Sequence, residues 1–166
     1  MRFRRVSILC LLGLWMCFSS TCTMAAQTTK HFVRGSYQEI VSARSGKPFI
    51  ISLWSLDCIY CRDDMVIFGK LLKKYHDLDL VLISTDTREQ TKEITQALKK
   101  YPLKQVESWV FADSFVERLR YEVDTQWYGE LPRTYFYDAQ GHAVAHSGKL
   151  DYAQIELWIR SNKNKN

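Results

Sequence analysis

The stretch PFIISLWSLDCIYCRDDM, residues 48–65, joins an apolar run to two cysteines three positions apart. The run from Pro48 to Trp54 is short, apolar, contains β-branched residues and is flanked by turn formers, which predicts a strand buried on both faces. Cys58 follows the end of this run, and Cys61 lies at the head of a helical pattern. The stretch therefore predicts a strand, a turn and a helix, with both sulfurs at the helix N-terminus.

The residues that follow repeat the order of strand and helix. Apolar side chains recur at steps of three and four on one helix face, namely at Met65, Phe68, Leu72 and Tyr75. Residues 78–85, LDLVLIST, predict a second buried strand, and residues 88–101 predict a second helix. This alternation, with crossovers long enough to be helical, predicts a parallel sheet covered on both faces.

The flanking segments complete a single α/β domain. Ser36 and Glu39 have the spacing of a capping box before a helix that ends near Ser45. Beyond Pro102 the pattern predicts a strand at residues 109–111, a helix at 114–121, a hairpin within RTYFYDAQGHAVAHSG and a final helix at 152–161. We expect a central mixed β-sheet with helices on both faces and the hairpin at its edge.

Residues 1–26 have the composition of a secretory signal. Three arginines precede an apolar run over residues 6–18, and small residues follow. This run is shorter than the roughly 20 residues that a bilayer-spanning helix needs. Processing is expected near residues 25–26, which leaves a domain over residues 27–166 in the periplasm. An uncleaved anchor that tethers the domain to the inner membrane and a lipid on Cys22 are the alternatives.

The net charge is modest once the signal is set aside. Loss of residues 1–26 removes three arginines and no acid, so the formal net charge falls from +5 to +2. No stripe of basic residues interleaved with aromatics then remains, which argues against nucleic acid as a partner. Membrane contact is expected only through the signal segment, if that segment is kept.

The same loss leaves Cys58 and Cys61 as the pair of cysteines in the mature chain. Structural disulfides of secreted domains usually close longer loops, because the chain-entropy model rewards loop length. A four-thiolate zinc site would need a second pair, and we predict no metal site. Redox chemistry is the interpretation that the pair favours.

The position of each sulfur predicts its role. A thiol attacks a disulfide as the thiolate, and a helix N-terminus both stabilises that anion and exposes it. Cys58 is the expected nucleophile, and Cys61 is the shielded sulfur that resolves the mixed disulfide. Arg62 places positive charge near the Cys58 thiolate, whereas Asp57 repels an anion. The acid directly before the nucleophile favours a reductant over a strong oxidant.

The arrangement resembles the TlpA-like branch of the thioredoxin superfamily. These are exported, often membrane-tethered thiol–disulfide oxidoreductases of bacteria, and they include cytochrome c maturation proteins. The segments LVLISTD and LPRTYFYDAQGHAVAHSG resemble further family segments in the same order, so the likeness covers nearly all of residues 36–160. The family motif around the cysteines is matched by Trp54, Cys58, Cys61, Arg62, Asp64 and Met65.

The resemblance implies a thioredoxin-like fold and further site residues. It implies a cis peptide between Leu131 and Pro132 that faces Cys58, with the backbone of Leu131 open to an extended substrate peptide. Arg133 is then placed to bind a substrate carbonyl or acid, and Trp54 to shape the pocket or end a core strand. Asp64 is either the base that takes the proton of Cys61 or a surface acid that answers the helix dipole.

The sequence also departs from the family pattern around the predicted nucleophile. Asp57 and Val66 stand where tryptophan and proline are often found, Asp64 where glutamate is common, and Arg133 where threonine is usual. These positions surround the exposed cysteine, so the departures bear on substrate and redox potential.

The expected function is exchange of disulfides with protein substrates, more as a reductant than as an oxidant. The Cys58–Cys61 dithiol is the redox group and no other cofactor is expected. The expected partners are protein thiols and disulfides and a membrane-bound electron donor that restores the reduced form. The alternative is a thioredoxin-like carrier that handles copper or haem through the two thiols without turnover.

Overall fold

The computed structural model describes residues 28–163, and the predicted signal segment lies outside them. The order of elements is strand and helix in alternation, followed by a hairpin and a last helix. The strands are β1 Lys30–Phe32, β2 Phe49–Trp54, β3 Leu80–Thr87, β4 Glu107–Phe111, β5 Arg133–Tyr137 and β6 Ala143–Ser147. The helices are α1 Ser36–Ser42, α2 Ile59–Lys74, α3 Thr91–Lys100, α4 Val116–Val123 and α5 Tyr152–Lys163.

The six strands form one mixed sheet in the order β1-β4-β3-β2-β5-β6. Strands β1 to β4 pair in parallel, as for Ile51 opposite Val81. The hairpin of β5 and β6 joins antiparallel on the other side of β2, with Tyr135 opposite Ile51. The predicted mixed sheet with an antiparallel hairpin at its edge is confirmed.

Two apolar cores lie on the two faces of the sheet, because side chains alternate along each strand. On β2, Ile50 and Trp54 belong to one core, whereas Ile51 and Leu53 belong to the other. Helices α2, α3 and α5 cover the first face, and α1 and α4 cover the second. Every residue of β2 is buried, as the apolar run predicted.

The N-terminal part of the domain differs from the expectation. Residues 30–32 form an edge strand that the sequence pattern did not predict. Helix α1 begins at Ser36, but its N-cap is Gly35 at φ 89°, and the predicted capping box with Glu39 is not formed. The Ser36 hydroxyl instead accepts a hydrogen bond from the Val33 N–H at 3.0 Å.

The parallel strands give the sheet two distinct ends. Strand β2 ends at Trp54, directly before the cysteines, and we call this the cysteine end. Strands β3 and β4 begin at the opposite end, at Leu80 and Glu107. Among residues 28–163, no helix has the length and apolar composition needed to cross a bilayer.

Candidate active site

The two cysteines lie where β2 gives way to α2, and they form a disulfide. Cys58 is the N-cap of α2, and its sulfur accepts a hydrogen bond from the Cys61 N–H at 3.1 Å. Cys61 is only 1% exposed, whereas Cys58 is partly exposed. A sulfur at this position receives a backbone N–H and the positive end of the helix dipole, which are the groups that stabilise a thiolate.

The turn before Cys58 is held by two charged side chains on different elements. Asp86, at the end of β3, accepts a hydrogen bond from the Leu56 N–H at 2.9 Å. Arg62, on α2, donates to the Leu56 carbonyl at 3.1 Å. Both backbone groups of Leu56 are therefore fixed, and this turn carries Cys58. The predicted effect of the Arg62 charge on the Cys58 thiolate stays a prediction, and the structure shows a contact of Arg62 with the backbone instead.

Asp86 is a site residue that the sequence reasoning missed. Its carboxylate also accepts from the Ser84 hydroxyl at 2.6 Å, which orients the side chain toward the turn. The available signal was its position, because an acid that follows a parallel strand lies at the same end of the sheet as the cysteines.

Asp64 lies one turn after Cys61 on α2 and is 1% exposed. One carboxylate oxygen accepts a hydrogen bond from the Leu150 N–H at 2.9 Å, and within residues 28–163 the other has no partner. Burial raises the pKa of Asp64 to about 6, although the bond from Leu150 acts in the opposite direction. The alternative of a surface acid is therefore wrong, and the role as a proton acceptor stays a prediction.

The peptide between Leu131 and Pro132 is cis, as the resemblance implied. The Pro132 carbonyl accepts a hydrogen bond from the Gly148 N–H at 2.9 Å, and the indole of Trp127 donates to the Glu130 carbonyl. Within residues 28–163, no hydrogen bond occupies the backbone N–H or carbonyl of Leu131. The backbone of Leu131 therefore keeps one unused donor and one unused acceptor within this part of the chain, and its role toward a substrate peptide stays a prediction.

Arg133 is committed to contacts inside the fold. Its guanidinium donates to Asp124 at 2.7 Å and to the Tyr135 hydroxyl at 3.1 Å, and it also contacts Glu130 and Ser147. The side chain is 14% exposed. These contacts give Arg133 a structural role within the fold, and its role toward substrate stays a prediction.

The other predicted site residues divide between core and surface. Trp54 is 4% exposed and belongs to the first core, so it does end a core strand. Asp57 is exposed beside Cys58. Ile59 and Tyr60, between the two cysteines, are 72% and 61% exposed. Apolar surface thus lies next to the partly exposed sulfur.

No protein-family model matches the chain, and no curated protein sequence matches it. Solved structures do match. A secreted disulfide oxidoreductase of Mycobacterium tuberculosis, homologous to E. coli DsbE, has a TM-score of 0.58 at 17% identity, over 72% of this chain and 85% of that chain. A thiol:disulfide interchange protein of the thioredoxin family from Chlorobium tepidum has a TM-score of 0.56 at 16% identity, over 73% and 83%.

A third match is an exposed lipoprotein thioredoxin, Etrx1, from Streptococcus pneumoniae. Its TM-score is 0.52 at 16% identity, over 73% of this chain and 89% of that chain. The chain therefore has a thioredoxin-like fold, as predicted. Its disulfide lies at the start of α2, immediately after the central strand β2.

Proposed function

We propose that the protein is a thiol–disulfide oxidoreductase that exchanges disulfides with other proteins through Cys58 and Cys61. The observation that carries this proposal is the asymmetric pair, in which a partly exposed sulfur at a helix N-terminus is bonded to a buried one. Two proteins of the same fold support it, one described as a disulfide oxidoreductase and the other as a thiol:disulfide interchange protein. A structural staple would need neither the exposed sulfur nor the neighbouring apolar surface.

In the first step the Cys58 thiolate attacks one sulfur of a substrate disulfide. A bond forms between Cys58 and that sulfur, the substrate bond breaks, and the other substrate sulfur leaves as a thiolate that takes a proton from water. The Cys61 N–H that now bonds the Cys58 sulfur would stabilise the attacking anion.

In the second step Cys61 gives up its proton and attacks the Cys58 sulfur. The intramolecular disulfide re-forms, and the second substrate sulfur leaves and is protonated. We assign to Asp64 the removal of the proton from Cys61. This role is supported by the burial of both residues one helical turn apart and by the oxygen of Asp64 that has no partner within residues 28–163. Two electrons pass from the dithiol to the substrate disulfide, and these two steps balance without another cofactor. The protein is left as the disulfide and needs an outside electron donor before it can react again.

An extended substrate segment would lie against the backbone of Leu131, which can donate and accept one hydrogen bond each. Ile59 and Tyr60 would contact its apolar side chains next to Cys58. This mode reads the substrate mainly through its main chain, so it suits several protein substrates rather than one small molecule.

The direction of electron flow and the location are parts of the same proposal. The negative charge of Asp57 repels the neighbouring Cys58 thiolate and so makes the reduced form less stable, which supports a role as a reductant. The signal-like residues 1–26 support export to the periplasm. A reductant in an oxidising compartment needs an electron supply, and we assign that role to a membrane-bound donor.

The proposal is tested with a variant that lacks the resolving sulfur and should therefore trap its substrate proteins. Cells that express the full chain with Cys61→Ser should accumulate mixed disulfides between Cys58 and substrate proteins, which non-reducing electrophoresis resolves. The matched variant Cys58→Ser keeps one cysteine of the pair and should trap none, because Cys61 is buried. If Cys61→Ser forms no mixed disulfide and instead loses bound copper or haem, the protein is a carrier and the proposal is wrong.

A further inference from the structure

A groove of about 810 Å³ lies at the end of the sheet opposite to the cysteines. It is formed where β3 and β4 begin and where α2 and α3 end. Leu80 in the groove and Asp86 beside the cysteine turn are six residues apart on β3, which places the two ends of this strand about 20 Å apart. Lys100 lies between the two ends, since it also lines a smaller cavity with Leu56 and Arg62 of the cysteine turn. Four exposed lysines line the groove, namely Lys73, Lys99, Lys100 and Lys104.

The groove carries an excess of positive charge. Two carboxylates also line it, those of Asp79 and Glu107, but both are bonded to the guanidinium of Arg44 at 3.0 and 2.6 Å. Within residues 28–163, none of the four groove lysines forms a hydrogen bond or an ion pair. Their charges are therefore available to an outside partner.

The helix dipole explains only part of this cluster. Lys73, Lys99 and Lys100 lie in the last turns of α2 and α3, where cations are favourable. Lys104 lies beyond α3 and outside any helix, yet it lines the same groove. Three separate segments thus bring lysines to one surface.

The chain enters the described domain at this same end. The Thr29 hydroxyl lies 3.3 Å from that of Thr95 on α3, and Lys30 bonds Glu107 of the groove at 2.7 Å. The apolar run of residues 6–18 precedes this point by the short segment 19–27. Nine residues span at most about 30 Å. In the uncleaved form, which is the alternative given for residues 1–26, a membrane that holds the apolar run would therefore lie within reach of the groove.

We propose that the lysine groove docks the folded domain on the anionic headgroups of a bilayer. The lysines would face phosphate groups, and the cysteine end would point away from the membrane, toward other proteins. Each lysine near an anionic surface strengthens binding about fivefold. The inference is independent of the disulfide chemistry, and it departs from the sequence-based expectation that only the signal segment contacts a membrane.

Acylation of lysines by a water-soluble, amine-reactive reagent tests the proposal on the full chain. The protein is bound to vesicles of phosphatidylcholine alone or of phosphatidylcholine and phosphatidylglycerol in equal parts, and modified peptides are quantified by mass spectrometry. The groove lysines should react severalfold more slowly on the anionic vesicles, whereas Lys149 beside Asp63 should react equally on both. The apolar run is present in both samples, so the difference isolates the headgroup charge.

Two variants that lose the same number of positive charges test whether the groove lysines cause this slower reaction. The reactivity of Lys73 is measured in both. The triple change Lys99→Gln, Lys100→Gln and Lys104→Gln should abolish the protection of Lys73 on anionic vesicles. The triple change Arg88→Gln, Arg118→Gln and Arg160→Gln removes the same charge elsewhere and should retain it. Equal reactivity on both vesicles overturns the proposal, and so does protection by polyglutamate or DNA without protection by anionic vesicles.

Discussion

The carboxylates of Asp64 and Glu107 lie at opposite ends of the sheet. Both are at least partly buried, but their pKa values are shifted in opposite directions. Burial would raise the pKa of Glu107, but hydrogen bonds from Lys30 and Arg44 outweigh it and the pKa is lowered. Asp64 receives one backbone N–H, and burial raises its pKa to about 6. The difference lies in the partners supplied rather than in the residue type.

The two carboxylates also differ in the hydrogen bonds that their oxygens receive. At Glu107 both oxygens have donors, so the charge is fixed and contributes to folding. At Asp64 one oxygen has no donor within residues 28–163, and this oxygen can take a proton. Such a group weakens the fold when ionised, and its role as the proton acceptor for Cys61 stays a prediction.

The largest expected effect comes from removing the charge at Asp64. The pKa of Asp64 is about 6 in the folded protein and 3.8 ordinarily, so the folded state holds an extra proton between these values and loses stability as the pH rises through them. Asp64→Asn should therefore be more stable than the native protein above pH 7, by about 3 kcal/mol. Urea unfolding of the oxidised protein from pH 4 to pH 8 measures this difference.

Asp63→Asn is the matched control for this experiment. Asp63 is the neighbouring acid, but it is 51% exposed and bonded to Lys149 at the surface. Removal of the Asp63 charge takes away a minor cause of the raised pKa of Asp64, whereas burial, the largest cause, remains. This variant should therefore keep most of the native dependence of stability on pH. A native pH dependence in Asp64→Asn as well would show that the carboxylate of Asp64 is not the group that costs stability.

The next effect has the opposite sign and lies at the other end of the sheet. Arg44→Ala leaves Asp79 and Glu107 without their shared cation and should destabilise the protein by about 2 kcal/mol, since Arg44 is 11% exposed. The rate of disulfide exchange by the folded protein should stay within about twofold, because the site is about 20 Å away. Thermal unfolding and an insulin-reduction assay measure the two quantities.

The ion pair of Arg118 and Asp113 provides a control, because the Arg118 side chain is 45% exposed and water screens its charge. Arg118→Ala should destabilise the protein less than Arg44→Ala does. Equal losses from the two variants would contradict the structural role assigned to the buried arginine.

The smallest effect concerns the turn that carries Cys58. Asp86→Ala leaves the Leu56 N–H without its acceptor and should cost about 1 kcal/mol of stability. The looser turn should slow the reaction of reduced Cys58 with iodoacetamide severalfold. Asp86→Asn keeps an oxygen that can accept from Leu56 and should restore most of the native rate. An unchanged rate in Asp86→Ala would show that Asp86 does not position the turn that carries Cys58.

Most of the fold could be predicted because its signals are local. The buried run of β2 and the apolar face of α2 appear directly in the sequence. Strand β1 could not be found in this way, since it has three residues with one buried side chain. Its strand conformation depends on pairing with β4, in which Lys30 lies opposite Trp109.

The sequence could predict the part of the site whose residues lie in one continuous segment of the chain. Cys58 and Cys61 lie within a continuous strand and helix, so spacing alone located both sulfurs. The environment of Asp64 depends on Leu150, which is 86 positions away, and the hold on Leu56 depends on Asp86, 30 positions away. Contacts of this kind arise from tertiary packing, and no local pattern encodes them.

The central claim is that Cys58 is the reacting sulfur and Cys61 the shielded one. Treatment of the reduced protein with limiting iodoacetamide at pH 6, followed by peptide mass spectrometry, tests it most directly. We predict that Cys58 is alkylated at least about tenfold faster than Cys61, as an exposed thiolate at a helix N-terminus should be. Alkylation of Cys61 first, or of both cysteines at equal rates, would contradict the account.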